Sequence, residues 1–151
     1  MTKVLALTAL LFFNLAPVAP VENHVKWGHV AKRISPTEAT IYIKATIDDG
    51  WHIYSQHIEE GGPRKTKITF TPSNAYSLVG KTIEPKALTK FDIFFKMNVG
   101  WFEREVVFTQ KIKLNSANVS AVKCKLEFVV CNNKACLPPD EAAFNIPVPV
   151  K

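Results

Sequence analysis

The sequence has no hydrophobic run long enough to cross a membrane, which takes about 20 apolar residues. The longest run, at residues 4–15, is shorter, follows Lys3 and ends before two nearby prolines. This pattern is typical of a secretory signal peptide, with an uncleaved N-terminal anchor as the alternative. No cysteine follows the run, so a lipid anchor is not expected there. We therefore expect a signal peptide at residues 1–20 and one exported domain at residues 21–151.

Glycine is also scarce, with six glycines against ten prolines, whereas valine, isoleucine, threonine and phenylalanine are frequent. This composition favours strands over helices. Apolar and polar residues alternate along much of the chain, and Ile41, Ile43 and Ile47, for example, share one face of a strand. The sequence contains no convincing helix, internal repeat or low-complexity tract.

About eight or nine short strands with closely spaced turns predict an all-β sandwich. The candidate strands cover residues 25–34, 41–47, 51–54, 67–70, 76–79, 81–83, 106–114, 122–130 and 143–150. Residues 56–65 are predicted to form a loop, and residues 88–100 are predicted to be irregular.

Acidic residues are fewer than basic ones, 13 against 19, and the formal net charge is +6. The basic residues are scattered, and most alternate with apolar residues, as on the solvent-facing side of a sheet. Nucleic-acid binding, which uses a clustered basic patch, is therefore not expected. An acidic protein surface or an anionic membrane face suits this charge better.

Only three cysteines are present. Strand parity, the odd or even position of a residue along a strand, separates Cys124 from Cys131. Successive strand residues point to opposite faces, and the even-numbered residues from Cys124 to Val130 are all apolar. Cys124 is therefore expected in the core, and Cys131 on the opposite face, at the strand end, where a partner could reach it. Seven residues of strand would separate Cys124 from Cys131 by roughly 23 Å, too far for a disulfide.

Cys131 and Cys136 flank a polar stretch of four residues that favours a chain reversal. In an oxidising compartment this pair is expected to form a disulfide. Closing so short a loop contributes only about 2 kcal/mol on the chain-entropy model, which argues against a mainly structural role. Lys134, between the cysteines, would favour a thiolate. The residues alone leave a redox-active disulfide and a structural staple both open.

Other chemistries have little support. The spacing Cys-x4-Cys is not that of a common zinc site, and no second cysteine or histidine pair stands nearby. Ser55 and His57 could be imagined in a hydrolase triad, but the sequence has no G-x-S-x-G motif. We expect neither a metal nor a cofactor.

Two segments resemble a known family. Residues 130–139, Val-Cys-Asn-Asn-Lys-Ala-Cys-Leu-Pro-Pro, resemble the active-site hairpin of the N-terminal periplasmic domain of the thiol:disulfide interchange protein DsbD. Residues 47–54, Ile-Asp-Asp-Gly-Trp-His-Ile-Tyr, resemble an early motif of that family, and the resemblance extends over about residues 25–150. It implies an immunoglobulin-like fold and a periplasmic thiol–disulfide oxidoreductase, without cofactor, that exchanges electrons through Cys131 and Cys136.

The resemblance also implies roles for particular residues. Cys136 would attack the disulfide of a partner, and Cys131 would resolve the mixed disulfide. The family shields its disulfide with an aromatic ring on a cap loop, which corresponds here to residues 91–96, including Asp92. By this resemblance, Phe95 is the first choice for the cap ring and Phe94 is the second. Trp51 and Tyr54 would line the pocket under the ring.

By the same resemblance, the partners would be a membrane-embedded thiol reductase and thioredoxin-like or other periplasmic disulfide proteins, and the domain would be a monomer. The chain departs from the family in its shorter cysteine spacing and in a cap loop without the family's acidic run and glycine. It also ends at Lys151, so a stand-alone domain that depends on a separate membrane protein is expected. The alternative is a non-catalytic immunoglobulin-like binding or adaptor module in which the disulfide is a staple.

Overall fold

The computed structural model of the protein describes residues 23–116 and 118–150. The expected signal peptide at residues 1–20 lies outside this part of the chain. The described residues form eleven strands and no helix, so the predicted all-β architecture is confirmed. Among these residues there is no helix that could span a membrane.

The strands follow one another as β1 (Val25–Ser35), β2 (Glu38–Ile47), β3 (His52–Tyr54), β4 (Lys67–Phe70), β5 (Tyr76–Ile83), β6 (Leu88–Asp92), β7 (Met97–Phe102), β8 (Glu105–Leu114), β9 (Ala121–Phe128), β10 (Val130–Cys131) and β11 (Asp140–Pro147). They form three sheets with the strand orders β1-β2-β8-β5, β10-β3-β7-β6 and β11-β9-β4. Every strand pair is antiparallel.

One large core holds these sheets together. The inward rows of β2 and β8 face it, as the alternation in β2 predicts, and Ile41, Ile43 and Phe108 are almost fully buried. Phe128 of β9 meets the ring of Trp27 on β1 edge-on at a centroid distance of 5.1 Å. Phe102 of β7 meets Phe108 in the same way at 6.0 Å. Rings from all three sheets therefore pack in one cluster, where edge-to-face contacts add to apolar burial.

Three local differences change the strand count from the nine candidates to eleven, and two of them lie between β4 and β8. Residues 76–83 form one strand, β5, with a register shift near Gly80, whose φ is +70°. Residues 88–100, predicted to be irregular, contain β6 and most of β7, which pair as a hairpin. Most of β6 is exposed, so its sequence lacks the apolar alternation that marks a half-buried strand.

The segment 122–130 also differs from its prediction as one strand. It divides at Val129, because β9 pairs with β4 and β11, whereas β10 pairs with β3 in another sheet. Phe128, Val129 and Val130 are all buried at this crossing. The chain is thus packed on both sides immediately before Cys131.

Candidate functional site

Cys131 and Cys136 lie on the two arms of a tight hairpin, residues 130–137, which we call the cysteine hairpin. Their sulfur atoms are joined at 2.00 Å and their Cα atoms are 4.0 Å apart, so the expected disulfide is present. The two residues also form an antiparallel bridge. The backbone N–H of Leu137 donates to the carbonyl of Val130 at 2.9 Å, next to the disulfide.

Asn132 shapes the turn between the cysteines. Its Oδ1 accepts hydrogen bonds from the backbone N–H groups of Lys134, at 2.8 Å, and Ala135, at 2.9 Å. Its own N–H donates to the carbonyl of Ala135 at 2.9 Å. Asparagine is favoured in turns because its side chain can bond to the backbone a few residues on. The sequence therefore supplies a turn that brings the cysteines together by local hydrogen bonds.

The two cysteines differ sharply in exposure. Cys136 is exposed, whereas Cys131 is only 1% exposed. Cys131 lies in a small apolar cluster with Tyr54, Val99 and Val129, which we call the Cys131 cluster. Cys131 packs in a different cluster from Cys124, as strand parity predicted, although the two residues lie in strands of different sheets. The expectation that a partner could reach Cys131 was wrong. Residues of β3 and β7 cover Cys131, which local alternation cannot reveal.

A cleft of about 480 Å³ lies between the cysteine hairpin and the β6–β7 hairpin. Cys136 contributes to its wall on one side, and the cap loop, residues 91–96, contributes on the other. Its lining includes His52, Tyr54, Asp92, Phe94, Phe95 and Cys136. The exposed sulfur-bearing residue and the cap-loop aromatics therefore face one shared space.

The cap loop joins β6 to β7 through a turn that is held by Asp92. The Oδ1 atom of Asp92 accepts hydrogen bonds from the N–H groups of Phe94, at 2.8 Å, and Phe95, at 3.1 Å. Lys96 completes the turn with a φ of +53°. Phe94 is 85% exposed and Phe95 is 41% exposed, so Phe95 is the more covered of the two rings.

The other two aromatic candidates lie on different sides of β3. Tyr54 lines the cleft and is largely buried, and burial together with nearby Asp92 raises its pKa. Trp51 lies away from the cleft residues, stacked on His24 at a centroid distance of 3.9 Å and packed against the large core. The structure thus does not bring Trp51 together with Tyr54. A separation of three residues in extended chain points side chains to opposite faces.

His52, Trp101 and Glu103 line the same cleft, although none of them was predicted to be a site residue. The Nε1 of Trp101 donates to Glu103 Oε1 at 2.9 Å. Burial lowers the pKa of His52, and the charge of Glu103 partly opposes that shift. Strand parity could have identified His52 from the sequence, because His52 lies two residues before Tyr54 and so shares its face.

Cys124 is in the large core, as strand parity predicted, and is 3% exposed. Burial raises the pKa of its thiol to about 11, so it remains protonated at neutral pH. In residues 23–116 and 118–150, no three or more histidine, cysteine, aspartate or glutamate side chains are grouped as metal ligands.

Comparisons with known proteins place this geometry in context. The family model described as "Thiol:disulfide interchange protein DsbD, N-terminal" matches residues 24–147. Among curated proteins, none matches the chain.

Three solved structures have a similar fold. The reduced DsbD N-terminal domain of Neisseria meningitidis is 19% identical, with a TM-score of 0.53 over 79% of this chain and 82% of that one. The N-terminal periplasmic domain of ScsB from Proteus mirabilis is 21% identical, with a TM-score of 0.63 over 87% of this chain and 49% of that one. A complex between the N. meningitidis DsbD and PilB N-terminal domains matches at 18% identity and a TM-score of 0.52, over 78% and 80% of the chains. These likenesses establish an immunoglobulin-like β-sandwich.

Proposed function

Because this chain belongs to the family of the DsbD N-terminal domain, and is thus a thiol–disulfide exchange domain, we propose that it carries electrons between a membrane reductase and extracytoplasmic disulfide proteins. The carrier is the Cys131–Cys136 pair, which alternates between disulfide and dithiol. The proposal makes the domain a thiol–disulfide oxidoreductase that needs no cofactor. Electrons would flow from the membrane reductase, through the Cys131–Cys136 pair, to the soluble partner.

The unequal exposure of the two cysteines carries this proposal. Exchange begins when a thiolate attacks a disulfide sulfur along an open path, and Cys136 is exposed on the cleft while Cys131 is buried. We therefore propose that each partner forms its mixed disulfide with the sulfur of Cys136. Cys131 then either leaves as the thiolate, when the domain is reduced, or attacks Cys136 to release a reduced partner. A staple would gain nothing from this asymmetry.

The partner and location follow from the same assignment. The cleft beside Cys136 would receive a thioredoxin-like or other disulfide protein in the periplasm, and a membrane-embedded thiol reductase would supply electrons at the same place. Residues 1–20 would direct export as a signal peptide. Support comes from a related domain whose complex with the PilB N-terminal domain is among the solved structures, and from another that is described as periplasmic.

The redox potential of the Cys131–Cys136 pair tests the proposal. We expect a potential above about −300 mV, because structural disulfides of secreted proteins lie below that value. The measurement is equilibration of the purified protein with thiol buffers of known potential, followed by alkylation and mass spectrometry. A potential far below −300 mV, together with unchanged partner binding in the double variant Cys131→Ser/Cys136→Ser, would instead favour the binding or adaptor module.

The cap residues give a second test within the cleft. We propose that the Phe95 ring shields the disulfide from small thiols, because it is the more covered of the two cap-loop rings. Phe95→Ala is expected to speed reduction by dithiothreitol severalfold, measured under pseudo-first-order conditions. Phe94→Ala is the matched variant, and faster reduction in that variant alone would assign the shield to Phe94. Unchanged rates in both would argue against any cap.

A further inference from the structure

His52 is the direct cross-strand partner of Cys131. The first residue of β3 pairs with the last residue of β10 in an antiparallel register. Directly opposed residues of such a pair point to the same face, with Cβ atoms about 4.5–5.5 Å apart. The imidazole therefore stands on the same face as the buried sulfur.

Ring contacts fix the imidazole at the edge of the Cys131 cluster. It meets Tyr54 edge-on at a centroid distance of 5.3 Å and Trp101 at 5.7 Å. Tyr54 is itself a member of the Cys131 cluster, and Trp101 packs against that cluster. His52 also lines the cleft together with Cys136. One imidazole thus adjoins both the buried thiol site and the open space where partners exchange.

The buried thiol of Cys131 needs a nearby proton acceptor before its sulfur can attack. The attacking species in exchange is a thiolate, but burial in apolar surroundings disfavours ionisation of a thiol. Cys131 is 1% exposed, so bulk water and buffer bases have little access to its proton. A base that belongs to the protein would remove this obstacle.

We propose that the imidazole of His52 is the general base that accepts the proton of the Cys131 thiol when Cys131 resolves a mixed disulfide. The inference rests on the proposed function and assigns a further catalytic residue to it. The Cys131 sulfur attacks the Cys136 sulfur, so the Cys131–Cys136 bond forms and the bond from Cys136 to the partner breaks. The partner sulfur leaves with the electron pair and takes the proton from the imidazolium. The domain's dithiol is oxidised and the partner's disulfide is reduced.

The surroundings of His52 suit a base at neutral pH. Burial lowers its pKa, so the imidazole is unprotonated and can accept, while the Glu103 carboxylate favours the imidazolium once it forms. The titratable and charged groups that face this region are Tyr54 on β3, Cys131 on β10, Lys90 and Asp92 on β6, Glu103 after β7, and Lys134 and Cys136 on the cysteine hairpin.

The test follows one turnover of the reduced protein with excess oxidised glutathione. Acid quenching and mass spectrometry give the lifetime of the glutathione adduct on Cys136, whose decay is intramolecular. In His52→Gln we expect decay to be about 10²-fold slower at neutral pH, the lower end of general acid–base effects. The wild-type rate should fall as pH drops through the His52 pKa, whereas the variant's rate should rise steadily with pH. His29→Gln is the matched control, because His29 is exposed on β1 beside Phe144.

Each outcome decides a different point. A His52→Gln protein with the wild-type rate and pH profile would overturn the role of His52. If that variant does not fold, Glu103→Gln decides, because loss of the carboxylate should move the wild-type fall-off to lower pH, and an unmoved fall-off overturns the inference. A wild-type protein that never re-forms the Cys131–Cys136 disulfide would refute the proposed function itself.

Discussion

Replacing Cys131 with alanine is expected to leave partner proteins covalently attached to Cys136. The exposed thiol of Cys136 can still attack a partner disulfide, but no second thiol is placed to release the product. Cys124 cannot take over, because it is buried in the large core and its pKa is raised to about 11. The complex should survive non-reducing electrophoresis and disappear when a reductant is added, and mass spectrometry of the cell extract would identify the partner.

The reciprocal variant is the control. Cys136→Ala keeps one hairpin thiol, but that thiol belongs to Cys131, which is only 1% exposed within the Cys131 cluster. It should capture little or nothing from the same cells. Equal capture by both variants would contradict the assignment of Cys136 as the residue that meets the partner.

Truncating Phe128 to alanine is expected to cause the largest loss of stability. Phe128 is 1% exposed, belongs to the large core and contacts the ring of Trp27. Phenylalanine-to-alanine changes in cores cost about 3–5 kcal/mol, through lost burial and the cavity left behind. Since whole domains are stable by only about 5–15 kcal/mol, the urea midpoint followed by circular dichroism should fall strongly.

Lys125→Ala is the matched control on the same strand. Lys125 is exposed on the other face of β9 and forms a surface ion pair with Glu141 at 2.8 Å. Such pairs contribute little to stability, so the midpoint should move far less than in Phe128→Ala. A comparable loss in both variants would show that the parity of β9 does not separate core from solvent.

Strand parity made the fold class and much of the core predictable from the sequence. Alternation is a local property, so it correctly placed Ile41 and Cys124 inside before any partner strand was known. The chain reversal between the cysteines was predictable for the same reason, because Asn132 closes it with bonds to the next few residues.

The features that sequence reasoning missed depend on which strands meet. Strand β6 is mostly exposed, and the turn that joins it to β7 uses the Asp92 side chain and a positive φ at Lys96 in place of a glycine signal. The burial of Cys131 arises because the chain changes sheets at Val129 and comes under residues from β3 and β7. The pairing of His52 with Cys131 joins residues 79 positions apart, beyond the reach of periodicity.

The backbone bonds of the cysteine hairpin have a consequence for how fast a partner is released. Asn132 and Leu137 close the turn without help from the sulfur–sulfur bond, so reduction leaves the two thiols side by side. Well-oriented intramolecular groups can act at effective molarities of about 10⁵–10⁸ M. If the domain exchanges as proposed, Cys131 would attack Cys136 as though it were present at a concentration that no cellular thiol reaches, so each mixed disulfide would be short-lived.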